Sequence, residues 1–340
     1  MYSIIRNILF MLSAERAHYF TMDWLHRLVA FPPTAFIIKA LFKSKSQPVT
    51  IAGITFPNRV GLAAGFDKNA KYIDALAALG FGHIEIGTVT PLPQPGNDKP
   101  RLFRLTKDRA LLNRLGFNNQ GVDVVASRLP HVKSKVIIGG NIGKNKVTPN
   151  EQAISDYEKC FIHLYDSVDY FTVNVSSPNT PNLRALQDKA PLTALLNRLA
   201  ELRKQYIQNG KPNRPIFLKI APDVANEQLD EILEIVATSG IDGIVATNTT
   251  ISRDGLQTDA ATIEQLGAGG ISGAPVKNRS TEVVRYLHQK SNGKLPIIAV
   301  GGIMTAADAK EKLDAGASLV QLYTGFIYSG PSLIKSINTL

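Results

Sequence analysis

The feature that most constrains this chain is the recurrence of eight short apolar runs, each four or five residues long, separated by stretches of helical periodicity. The runs fall at 60–64, 83–87, 136–140, 170–174, 216–220, 243–247, 297–300 and 319–323. Nearly continuous apolar character over so few residues suits parallel strands covered on both faces. Helical patterns occupy 70–79, 151–166, 190–208, 226–238, 280–291 and 305–314. Alternating strand and helix predicts an α/β fold, and eight strands predict closure into a (β/α)8 TIM barrel. An open doubly wound sheet is the alternative, but no Gly-x-Gly-x-x-Gly follows the first run to give a dinucleotide fingerprint. A hairpin is expected ahead of the barrel at 49–56, turning at Ala52-Gly53.

Such a barrel needs about 250 residues. The 340-residue chain therefore divides into an amino-terminal helical extension, 1–45, and a barrel domain, 46–340. Two helical segments are read before Pro32-Pro33. In the first, Ile4, Ile5, Ile8, Leu9 and Leu12 share one side, opposite Ser3, Arg6 and Asn7; in the second, Phe20, Trp24, Leu25 and Leu28 align. Arg6, Arg16, Arg27, Lys39, Lys43 and Lys45 outnumber Glu15 and Asp23. Apolar faces with excess positive charge suit helices lying on a bilayer surface. A helical hairpin packed on the rest of the protein has the same periodicity, so the pattern leaves lipid, protein and an apolar ligand all open. The run 35–42 is interrupted by Lys39 and is too short to span a membrane.

The formal net charge is +10, from 38 Lys and Arg against 28 Asp and Glu. The basic residues are scattered, with no zinc-finger spacing or aromatic RNA-binding pattern, so nucleic acid is not an expected partner. The single cysteine, Cys160, excludes a disulfide framework and a paired-cysteine metal site. No metal is expected. Cys160 lies in a helical pattern and reads as a buried structural thiol.

In barrels of this kind the chemistry sits at the carboxyl ends of the strands. Gly301-Gly302 follows the seventh run and Tyr323-Thr324-Gly325 the eighth, where backbone N–H groups commonly hold a phosphate; Gly270 and Gly273 are placed to approach from the side. Lys219 ends the fifth run and reads in three ways: a Schiff-base nucleophile, a fixed charge stabilising an anion, or a structural lysine.

The segment Asn174 to Arg184 (NVSSPNTPNLR) resembles the active-site loop of the dihydroorotate dehydrogenase family. AERAH at 14–18, AAGFDKN at 63–69, NRLGFNNQG at 113–121, ATNTT at 246–250 and GASLVQLYTGF at 316–326 resemble the same family in the same order. Within the family a serine base marks the membrane-associated, quinone-using class 2, and a cysteine marks the soluble class. The matching position here is Ser177, and Cys160 lies outside the loop. One departure is Asn182, where glycine is common.

The resemblance implies oxidation of dihydroorotate to orotate, with FMN as hydride acceptor and a membrane quinone as terminal acceptor. It implies Ser177 as the base, with Thr180 and a water shielded by Phe117 as relay components. For FMN it implies Ala64, Gly65, Phe66, Asp67, Lys68, Thr88, Asn141, Asn174, Lys219, Thr247, Gly273, Gly302, Tyr323 and Thr324. For the substrate it implies Lys68, Asn113, Arg114, Leu115, Gly116, Phe117, Asn174, Asn179, Asn248 and Thr249. It also implies a monomer attached peripherally to the cytoplasmic face of the cell membrane, with quinone entering between the amino-terminal helices.

Overall fold

The computed structural model describes residues 2–43 and 46–340; Lys45, one of the six basic residues named above, and the expected domain boundary beside it lie outside the described residues. The two helices expected before Pro32-Pro33 form as α1 (Tyr2–Leu9) and α2 (Ala14–Ala30), and a third, α3 (Pro32–Phe42), follows the break. Proline disfavours helical geometry in the residue before it, and Phe31 is accordingly extended (φ −91°, ψ 115°). Proline also suits the first helical turn, so the chain restarts as α3 at 110° to α2. No single helix among the described residues is long and apolar enough to cross a membrane.

α1 docks on the barrel through its polar side. Tyr2 donates its hydroxyl to the Ile327 carbonyl (2.7 Å), and Arg6 donates to the Tyr328 carbonyl (3.1 Å). The side carrying Arg6 thus faces the barrel, while Ile4 and Ile8 remain 65% and 61% exposed. α2 sends Met22 into the core and leaves Phe20 and Trp24 outside.

The hairpin β1 (Val49–Ile51) and β2 (Ile54–Phe56) forms as expected, with Ala52 and Gly53 at φ 49° and 81°. The remaining strands are β3 (Val60–Leu62), β4 (His83–Val89), β5 (Leu102–Leu105), β6 (Ala110–Asn113), β7 (Ile137–Ile142), β8 (Tyr170–Asn174), β9 (Ile216–Ile220), β10 (Gly243–Ala246), β11 (Gly270–Gly273), β12 (Ile297–Val300) and β13 (Leu319–Leu322). β3, β4, β7, β8, β9, β10, β12 and β13 close a barrel in chain order, every pair parallel. The eight runs read from the sequence are these strands, shifted by at most two residues at an end. β5, β6 and β11 form a separate antiparallel sheet that the sequence reading did not contain. It borders the barrel mouth, where Ser272 meets Thr324 hydroxyl to hydroxyl at 2.8 Å.

The helices of the barrel domain are α4 (Ile73–Ala77), α5 (Val122–Arg128), α6 (Ala153–Leu164), α7 (Lys189–Gln208), α8 (Asn226–Ser239), α9 (Ala260–Leu266), α10 (Lys277–Lys290), α11 (Ala306–Asp314), α12 (Thr324–Ser329) and α13 (Ser332–Ile337). The helix expected at 70–79 shrinks to α4 because the Asp67 carboxylate accepts the N–H groups of Lys71 (2.9 Å) and Tyr72 (2.7 Å), holding that stretch as a loop. α5, α9, α12 and α13 were not anticipated; six or seven residues are too few to show a period.

Inside the barrel the lowest layer is mainly aromatic and aliphatic, with the His83 imidazole among the rings. Phe56 of the hairpin packs with Tyr170, Phe217, Ile298 and Leu319. The large rings fit because a facing position is glycine: a Cβ at Gly139 would overlap the Tyr170 ring. Burying each such side chain contributes roughly 1.5–3 kcal/mol. The layer above is polar and equally buried, formed by Glu85, Asn141, Thr172, Lys219 and Gln321. Cys160 lies in the helix-facing core, and burial raises its pKa well above the usual thiol value.

Candidate active site

A cavity of about 970 Å³, counting its open mouth, sits over the carboxyl ends of the barrel strands. Its wall is assembled from segments far apart in the chain: Ala64, Gly65 and Lys68 after β3, Thr88 on β4, Asn174 at the end of β8, Lys219 on β9, Thr247-Asn248-Thr249 after β10, Gly301-Gly302 after β12 and Tyr323-Thr324 after β13. Asn113, Leu115, Gly116 and Phe117 enter from the end of β6, with Ser177 and Asn179 from the loop after β8.

A continuous polar chain underlies this wall. Thr88 donates to Asn141 Oδ1 at 2.5 Å, and Asn174 Nδ2 donates to Thr88 Oγ1 at 2.9 Å. Asn248 Nδ2 donates to Ser176 Oγ at 3.0 Å, which in turn donates to Asn174 Oδ1 at 3.1 Å. Asn179 Nδ2 reaches Asn113 Oδ1 at 3.0 Å. Amide side chains with both donors and acceptors thereby face the cavity in fixed orientations, able to read a ring that alternates N–H and C=O.

The Ser177 loop is clamped from behind. Arg184 donates to the Ser176 carbonyl (3.1 Å), the Thr249 carbonyl (3.0 Å) and the Asp223 carboxylate (2.9 Å), joining the loops after β8 and β10. Lys68 donates to Asn118 Oδ1 at 3.0 Å. Burial, and then the neighbouring Arg101, push its pKa down to about 7, with Glu15 opposing. Burial likewise lowers the Lys219 pKa, with Glu85 opposing.

Four of the residues expected at the site do not line this cavity. Asn141 lies beneath it, fully buried, and acts on it through Thr88. Asp67 folds its own loop, as described above, and Phe66 turns toward the amino-terminal helices, 4.8 Å from the His18 ring. Arg114 points away, stacked 4.8 Å over Phe103 and donating to the Leu266 and Pro100 carbonyls. Conversely, Ser272 and Gln321 line the cavity without having been anticipated. Gln321 carried a signal, a polar residue inside an apolar strand; Ser272 belongs to the unforeseen β11.

A second cavity of about 1110 Å³ lies between the helical extension and the barrel. Ile5, Leu9, Met22, Leu25, Phe42 and Phe326 make it apolar, with His18 and Arg104 at its wall. Burial pushes the His18 pKa down to about 4, so the imidazole is neutral near pH 7. Tyr323 lines both cavities.

The sequence matches the family model described as dihydroorotate dehydrogenase over residues 47–339. A protein of Christiangramia forsetii named dihydroorotate dehydrogenase (quinone) is 56% identical over 338 residues, covering 99% of this chain and 97% of that protein. A protein of the same name from Chromobacterium violaceum is 51% identical over 337 residues, covering 98% and 95%. The crystal structure of DHODH from Eimeria tenella in complex with ferulenol matches this fold with a TM-score of 0.83 at 36% identity, covering 96% of this chain and 89% of that one. With a family match across the barrel and relatives more than half identical over nearly the whole length, the chain belongs to the dihydroorotate dehydrogenase family.

Proposed function

We propose that this protein oxidises (S)-dihydroorotate to orotate, with FMN as hydride acceptor and a membrane quinone as terminal acceptor, a step of pyrimidine biosynthesis. The observation that carries this reading is the pairing of two cavities at Tyr323: one polar and lined by Ser177 and asparagines, the other apolar and bounded by the amino-terminal helices.

The polar cavity suits a flavin mononucleotide. Gly65, Gly273 and Gly302 have φ of 94°, 98° and 73°, which favour glycine and leave backbone open to a ligand. Gln321 Oε1 and Thr249 Oγ1 are buried there without a partner among the described residues, and a ligand's N–H or O–H groups would satisfy them. The backbone N–H groups of Gly302 and Thr324 would hold its phosphate. When bound, FMN supplies the acceptor for the C6 hydride of dihydroorotate and the electrons that reduce quinone.

Removal of the C5 proton falls to Ser177. A lone hydroxyl is a poor base, so its surroundings must favour proton loss. Thr180 Oγ1, buried and without a partner among the described residues, offers a relay, and Phe117, buried at the cavity wall, would shield a relay water. The asparagines hold the pyrimidine edges, and Lys68 pairs with the carboxylate. Lys219 places positive charge where negative charge develops during hydride transfer.

Quinone enters the apolar cavity, where the neutral His18 offers a hydrogen bond. Ile4, Ile8, Trp24, Phe36 and Leu41, each at least half exposed, form with the basic excess of the extension a surface suited to anionic lipid. We assign the protein as a monomer held peripherally at the cytoplasmic membrane face. The deciding measurement is the absorption spectrum of the purified protein. Anaerobic dihydroorotate should bleach the flavin and a quinone analogue should restore it; a flavin that never bleaches removes the assignment.

A further inference from the structure

Glu85 lies fully buried in the middle of β4, and no step above uses it. A buried carboxylate is costly unless its charge is paired and its oxygens are hydrogen-bonded. Here Oε1 accepts from Asn141 Nδ2 (2.7 Å), and Oε2 accepts from Gln321 Nε2 (2.8 Å), Thr172 Oγ1 (3.1 Å) and the Tyr170 hydroxyl (3.4 Å). Two of the partners are amide N–H groups and two are hydroxyls free to donate, so a carboxylate that only accepts satisfies all four contacts.

Asn141 passes this orientation upward. With its amide N–H2 committed to Glu85, its carbonyl oxygen faces Thr88 and Asn174 (2.5 and 3.3 Å), both of which line the cavity. Lys219 is buried in the same layer on β9, and Glu85 is the anion that opposes the effect of burial on its ammonium group. The other titratable groups about the carboxylate are Tyr170 on β8 and, one layer down, His83 on β4. Burial raises the phenol's pKa and lowers the imidazole's to about 3, so neither is charged near pH 7.

We propose that Glu85 is a positioning residue of the cofactor site: its carboxylate orients Asn141, and through it Thr88 and Asn174, and sets its charge in the same buried layer as Lys219. This rests on the flavin reading given above. Two substitutions separate the two roles. Glu85→Gln keeps the size and removes the charge; Glu85→Asp keeps the charge and withdraws the acceptor by one methylene.

The readouts are the dissociation constant for FMN, followed by flavin fluorescence, and the midpoint potential of bound FMN against pH. In E85Q the inflection due to Lys219 deprotonation should move down by about one pH unit or more, because the ammonium loses its nearby anion. Adding Lys219→Met should abolish that inflection and so assign it. In E85D the inflection should remain near that of the parent protein while FMN binding weakens on the order of tenfold, as for a lost hydrogen bond to a charged group. An E85Q curve that superimposes on the parent's overturns the counter-charge. Parental FMN affinity in E85D overturns the positioning, and E85D carries the test alone if E85Q does not fold. A parent protein that binds no FMN defeats the flavin reading instead, so the two failures are distinct.

Discussion

Asn179 donates its backbone N–H to Ser177 Oγ at 3.3 Å, from two residues further along the same loop. A donor aimed at the serine oxygen stabilises it as its proton departs, and Arg184 holds the loop that keeps the two together. Replacing Ser177 by Ala removes the proposed base and leaves the proposed FMN cradle untouched. We expect kcat to fall by about 10²–10⁴-fold with the flavin content unchanged, measured by turnover with a soluble dye beside the flavin spectrum.

The proposed pairing of Lys68 with the substrate carboxylate predicts that binding depends on pH. The Lys68 pKa is lowered to about 7, so the ammonium is present below that pH and lost above it. The KM for dihydroorotate should therefore rise as the pH is raised through about 7, as the carboxylate loses its partner. Lys68→Gln should raise KM by roughly tenfold to a hundredfold and flatten the profile. A KM that varies equally with pH in both proteins would assign the titration elsewhere.

Glu15 of α2 and Arg101 form a two-pronged bridge at 2.8 and 3.2 Å, with side chains only 15% and 6% exposed. Burial raises the Glu15 pKa, but Arg101, helped by Lys99 and Lys68, more than reverses this, and the net shift is downward. A carboxylate with a depressed folded pKa contributes stability above its unfolded pKa, and that contribution is lost as the pH falls through the folded value. α2 should thus loosen first at acid pH, seen as faster amide exchange in residues 14–30. Glu15→Gln should produce the same loosening at neutral pH and should slow quinone reduction more than dye reduction.

Gly302 has φ 73°, and a Cβ there would overlap the Lys277 backbone. Neither the conformation nor the neighbour can give way cheaply. Gly302→Ala should cost about 1–3 kcal/mol and lower the FMN content. Thermal unfolding with and without added FMN measures both effects.

The outward apolar face of the extension predicts a separable membrane role. A chain lacking residues 1–45 should keep dye-linked oxidation while losing quinone reduction and flotation with anionic vesicles. Equal loss of both reactions would make the helices structural.

The barrel was legible because its strands are buried on both faces and leave short apolar runs that recur in alternation with helical patterns. The outer sheet was not, since β5 (LFRL) and β6 (ALLN) are only four residues long, each with one polar residue among them, and β11 (GISG) reads as a turn. The helix at 70–79 failed for a reason periodicity cannot reveal, the Asp67 carboxylate capturing two N–H groups from a distance. At the site, the motif residues on strand ends come together around one cavity, because strand direction decides where those side chains go. The motifs misplaced Arg114 and Phe66, which share a motif with cavity residues yet turn to Phe103 and His18. Glu85 and Gln321 were visible as polar interruptions of apolar strands, a sign that a barrel interior is built for more than packing.

The β1–β2 hairpin has a consequence beyond stability. By pressing Phe56 against the Tyr170 and Phe217 rings it corks the lower end of the barrel with hydrocarbon. With rings filling that end, the open side of the polar layer is the cavity above it, so a ligand seated there faces Lys219 and Gln321 directly.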